Sequence, residues 1–162
     1  MELATSALRL LVIALGTGVG LYLALYLFQR LTPGIDEWGE VVRGNVAAGL
    51  MLASVALAVA IVVRPIVAQP LSGMDLRAGS VVVAVFVEGA RLLLGLLLAV
   101  GAVALASWLY NLLTRGIQER AQLRLGNVAV GLIQAAIIVS TALMISAPGA
   151  AFVQALIGTL FR

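Results

Sequence analysis

Few residues in this chain could do chemistry, and most of them come in pairs. Asn45 and Asn127 each follow a glycine and open a run of small residues, Gly44-Asn45-Val46-Ala47-Ala48-Gly49-Leu50 and Gly126-Asn127-Val128-Ala129-Val130-Gly131-Leu132. Glu37 and Glu119 close matching strings upstream, Leu31-Thr32-Pro33-Gly34-Ile35-Asp36-Glu37 and Leu113-Thr114-Arg115-Gly116-Ile117-Gln118-Glu119. Arg9 and Arg91 match in the same way, and Glu88 stands three residues before Arg91. One offset of about 82 residues relates all of these pairs, far longer than the periods of most solenoids.

Each pair admits a structural and a functional reading. An amide at or below a membrane surface must find partners, because lipid offers none. If Asp36 and Gln118 start their helices, each Asn lies inside a helix, near a pseudo-two-fold axis between the halves. There the pair is either an interhelical clamp or cap, or the polar lining of a path for an ion or small solute. Glu37 and Glu119 fall in a first helical turn, where the positive helix end stabilises a carboxylate; alternatively they attract cations to a mouth. Glu88 and Arg91 are spaced to pair on one helix face. Arg9 and Arg91, near the starts of spans, are expected to reach out to lipid headgroups along their apolar stems.

The remaining composition excludes more than it offers. There is no Cys and no His, and all ten basic residues are Arg. A disulfide, a thiolate site and a His-ligated metal are therefore impossible. Neither a His or Lys base nor a glycine-rich phosphate loop is present, so no enzyme, cofactor or metal is expected. The net charge of +3 does not mark a nucleic-acid binder, because the Arg residues lie singly between apolar stretches.

The elements that must position these residues are membrane helices. The chain is 63% hydrophobic and only 10% charged, with mean hydropathy +1.16, against about a quarter charged in soluble domains. Its apolar runs reach the ~20 residues that a bilayer core requires. The expected fold is an all-α membrane protein with four transmembrane helices, at about 7–28, 44–63, 92–112 and 126–145. They form two parallel two-helix repeats, about 7–67 and 89–149, joined by short interfacial helices within a single membrane domain.

Within the first span Gly16 and Gly20 form a GxxxG pair that lets a neighbouring backbone approach closely. Gly44, Gly49, Gly126 and Gly131 extend the same small-residue packing to the second and fourth spans. Thr32-Pro33-Gly34 is expected to stop the first helix, Pro65 the second span and Pro148-Gly149 the fourth. The stretch 79–110 is either one long helix or a surface helix leading into a span. The residues after Pro148 are too few to span and read as an interfacial helix. The first helix is read as retained, since its start is acidic and its apolar run is long enough to span. Arg30, Arg43, Arg115, Arg120 and Arg124 put the connectors on the cytoplasmic side and both termini on the periplasmic side.

At these motifs the chain resembles the YjfL-like bacterial inner-membrane proteins, a tandem-repeat family of unknown function. The shared marks are Thr32, Pro33, Glu37, Gly44 and Asn45, then Thr114, Glu119, Gly126 and Asn127, with Arg115 departing from the proline of the first copy. The resemblance implies an inner-membrane location and this architecture, and carries no activity. With no chemistry in view, the expectation is a structural or scaffold module that associates with its own copies or with another membrane protein in the bilayer. The alternative is a small oligomeric channel or transporter module lined by the repeated Asn and Glu positions.

Overall fold

The computed structural model describes residues 2–31, 36–68, 81–114 and 119–160. Among the described residues six helices follow one another: α1 (Glu2–Leu31), α2 (Glu37–Val42), α3 (Val46–Ala68), α4 (Val81–Leu113), α5 (Glu119–Arg124) and α6 (Val128–Leu160). No strand occurs among the described residues. The four long helices are apolar and long enough to cross a membrane. The chain is thus an all-α membrane protein, and its outward residues, such as Leu15, Val19, Leu97 and Phe152, face lipid rather than water.

The helices pack as a rhombus. α3 touches each of the other long helices, most extensively α6, and also contacts α2 and α5. α4 packs on α1, α3 and α6, leaving α1 and α6 at the outer corners. Contacts along the chain fix the directions. Added Cβ atoms at Gly16 and Gly20 would meet Leu92 and Leu96 in turn, so α1 and α4 run parallel. The GxxxG face therefore seats two leucines of α4 within the same chain. Gly95 of α4 lies against Ile66 and Val63 near the end of α3, and Val55 and Val59 border a void with Val100 and Val103. The helices α3 and α4 are thus antiparallel.

Two expectations about helix ends give way. Pro65 does not end α3, which runs on to Ala68, and Pro148 lies inside α6, which continues to Leu160. An interior proline costs a helix about 3 kcal/mol in water, but membrane helices tolerate it where neighbours and local adjustments satisfy the freed carbonyl. Beyond Pro148 the chain also keeps a buried stripe, Ala150, Val153 and Ile157, which rewards continuing the helix. The tail is therefore the last part of α6, not a separate interfacial helix. Of the two alternatives open for the third apolar stretch, the structure has one long helix: α4 is continuous over 33 residues. The expected stop at Thr32-Pro33-Gly34 lies outside the described residues.

Candidate functional site: the two connectors

Each connector is a one-and-a-half-turn helix, a tight reversal and a cap. Asp36 begins α2 as its N-cap, accepting a hydrogen bond from the Gly39 amide at 3.1 Å. α2 ends in a Schellman arrangement, in which Asn45 N–H donates to the Glu40 carbonyl and Gly44 N–H to the Val41 carbonyl, both at 2.9 Å. The motif needs a left-handed residue, and Gly44 supplies it at φ +82°. α5 ends identically. Asn127 N–H donates to the Gln122 carbonyl and Gly126 N–H to the Leu123 carbonyl, each at 3.0 Å, with Gly126 at φ +74°. Gly44 and Gly126 thus serve the reversal and not helix packing, which corrects the reading of them as small contacts within a span.

The reversal leaves each Asn as an N-cap rather than inside a helix. Asn45 Oδ1 accepts from the Ala48 amide at 3.2 Å, and Asn127 Oδ1 from the Val130 amide at 3.4 Å. Their amide nitrogens then reach back five residues. Asn45 Nδ2 donates to Glu40 Oε2, and Asn127 Nδ2 to Gln122 Oε1, each at 2.9 Å. The sequence carries this signal as an acceptor side chain five positions before each Asn, but nothing marked Glu40 or Gln122 for the role. Glu40 also accepts from Arg43 Nη1 at 2.8 Å. The Asn45 hydrogen bond and then the Arg43 charge hold the Glu40 carboxyl below its ordinary range against the opposing effect of burial.

A hydrogen bond from Asn45 crosses between the halves. Asn45 Nδ2 also donates to the Leu123 carbonyl at the end of α5, at 2.8 Å. Both connectors therefore lie at the same end of the bundle. Just below them an added Cβ at Gly131 would stand 2.9 Å from the Ala47 Cα and carbonyl oxygen. Only glycine lets α6 come this near to the α3 backbone. Asn45 and Asn127 do not pair with each other across a two-fold axis: the first bridges the halves and the second binds within its own.

The other singled-out residues scatter. Glu37 is buried in the first turn of α2. Glu88 and Arg91 are both buried on α4, about 10 Å and 6 Å along the axis from the level where Gly95 meets α3. Arg91 is thus enclosed by protein instead of reaching out to headgroups. The side chains of Arg9 and Glu119 lie outside the described residues. Gln134 escaped sequence reasoning because its counterpart is Leu52. It is buried on α6, and its Oε1 has no hydrogen-bond donor among the described residues. Between α1, α3 and α4 lies an apolar void of about 10 Å³, bordered by Ala24, Phe28 and Val103, with no room for a hydrated ion. Near the far end of the α3–α6 seam a larger open groove of about 600 Å³ runs past Arg64, Leu57 and Ser146.

The connectors turn the chain, start a span and tie it to the other half. A family model described as a domain of unknown function, DUF350, matches residues 2–147. No curated protein and no solved structure matches the chain.

Proposed function

The chain belongs to the DUF350 family, and from that premise we propose that it is a non-enzymatic scaffold of the bacterial inner membrane that works as an assembly of its own copies. Within the family we place it with the YjfL-like tandem-repeat proteins, on the matched strings around Asn45 and Asn127. In this reading the connectors face the cytoplasm, in line with Arg30, Arg43 and Arg124 beside them. The observation that carries the proposal is the use made of Asn45. Its amide is spent on Glu40, on Leu123 and on the Ala48 amide, so Asn45 is engaged in holding helices together instead of facing a path.

Native mass spectrometry from mild detergent tests it. Defined oligomers are expected, and a population of monomers alone overturns the scaffold reading. Amine-reactive cross-linkers are unsuitable, since the chain has no Lys.

A second reading, an oligomeric channel or transporter module, draws on the buried polar side chains Glu88, Arg91 and Gln134. Ionisable residues within membrane helices often mark ion or proton paths. Flux measured in liposomes separates the two. Ion flux that falls in the Gln134→Leu or Glu88→Gln variants favours the channel, and silent vesicles remove it.

A further inference from the structure

We infer that the contact between the two halves of one chain is repeated between chains, head to tail, with α3 of one copy seated on α6 of another. This deepens the scaffold reading and rests on it.

The inference starts from which faces α3 and α6 use. Two helices related by a two-fold axis would meet through the same face. These do not. Gly131 of α6 meets Ala47 of α3, whereas Gly49, the counterpart of Gly131, faces open space with nothing within 4 Å of an added Cβ. The residues on the Ala47 side of α3, Met51 and Val62, are 1% and 0% exposed. Their counterparts on α6, Ile133 and Met144, are 55% and 80% exposed. The contact is therefore heterologous: one half offers the Ala47 face and the other answers with the Gly131 face. A heterologous contact always leaves one unused face of each kind. Here these are the Ala129–Ile133–Met144 face of α6 and the Gly49 face of α3, at opposite sides of the α3–α6 pair.

An apolar outward face is ordinary in a membrane helix, so exposure alone would name no occupant. The occupant is named by the connectors. Asn45 makes two side-chain donations, one of them across the halves to the Leu123 carbonyl. Asn127 makes only the local one, to Gln122, among the described residues. The counterpart of the Leu123 carbonyl is that of Val41, which accepts from Gly44 N–H as Leu123 accepts from Gly126 N–H. A second copy placed with its Gly49 on Ala129 brings its Val41 carbonyl to the Asn127 amide hydrogen that has no acceptor among the described residues. The helix face and the polar cap thus ask for the same neighbour, on the same side and in the same direction. Such contacts close into a ring or extend as an array, according to the rotation between copies.

The chain has no Cys, so introduced cysteines report cleanly. Advancing equally along parallel helices from Ala47 and Gly131 reaches Ala58 and Ala142, both fully buried. Their counterparts Ser140 and Ala60 are exposed and are predicted to meet between copies. Oxidation of the Ala60→Cys/Ser140→Cys double variant in native membranes should give a ladder of dimers, trimers and higher forms. Each single variant alone should give no dimer, and the two singles coexpressed should stop at dimers. A dimer from either single variant shows a symmetric contact and overturns the inference. Gly49→Leu supplies the second readout. It fills open space in the lone chain, so thermal stability of the protomer should be unchanged while oligomers disappear from native mass spectra. Oligomers that persist in Gly49→Leu, or that never cross-link through positions 60 and 140, overturn this interface and leave the scaffold reading standing. Monomers alone in the parent protein remove both.

Discussion

The two connectors are built on one plan and bear different loads. In both, a six-residue helix ends on a left-handed glycine, and the following Asn caps the next span while reaching back five residues. The first carries charge, Glu40 with Arg43, and ties itself to the other half through Leu123. The second uses neutral Gln122, has Leu125 where Arg43 stands, and its Asn127 side chain bonds only locally among the described residues. The same turn chemistry is thus a cap in one place and a cap plus a cross-brace in the other. A repeated motif fixes local geometry; what surrounds each copy decides its contribution.

That contrast can be broken most forcefully at the glycines beneath it. Gly131→Leu drives a side chain into the α3 backbone at Ala47 and should cost about 3 kcal/mol, while Gly49→Leu leaves the protomer's stability unchanged; unfolding in detergent followed by circular dichroism compares them. Next come the asparagines. Asn45→Ala removes a cap, a bond to a carboxylate and the bond between halves, for about 2 kcal/mol, whereas Asn127→Ala loses about 1 kcal/mol. Equal losses by the same assay would show that the cross-brace carries nothing. The two reversals, by contrast, should respond alike. Gly44→Ala and Gly126→Ala each force a left-handed alanine, at about 1 kcal/mol.

The smallest expected effect separates the connectors by pH. The folded Glu40 carboxyl lies below its ordinary value because Asn45 and Arg43 favour its charged form. A group with a lowered folded pKa adds stability above its unfolded value, near pH 4.3, and loses it as the pH falls through the folded value. The penalty of Asn45→Ala should therefore shrink on acidification through that window. The penalty of Asn127→Ala should stay flat, because Gln122 does not titrate. In a Glu40→Gln background the penalty of Asn45→Ala should become as insensitive to pH as that of Asn127→Ala, which stability measured across the acidic range would check.

Much of this was legible in the chain. The spans, the acidic start of α2 at Asp36 and Glu37, and the paired Asn positions all follow from residue type and spacing. The connector reversals were half visible. Gly-Asn reads as the start of a span, but small residues before an apolar run look the same whether glycine packs or turns. Pro65 and Pro148 misled for a related reason: their cost as helix breakers is set in water, and a membrane helix with buried residues beyond the proline continues. The faces of α3 and α6 could not be read at all. Val, Leu, Ile and Ala surround both helices, so hydrophobicity does not separate a side facing lipid from a side facing protein. Only contacts such as Gly131 against Ala47 show which is which.

The unequal lengths of the long helices have a consequence for the lipid itself. The apolar stretch of α3 is 23 residues and that of α6 is 33, about 35 Å and 50 Å along the axis. A hydrocarbon layer of ~30 Å nearly matches the first and falls well short of the second. Lipid beside α6 must stretch, or that helix must lean, while lipid beside α3 remains almost relaxed. The annulus around the protein is therefore lopsided, and the elastic cost of that deformation falls when the side bordered by α6 is shielded from lipid or lies in a thicker membrane.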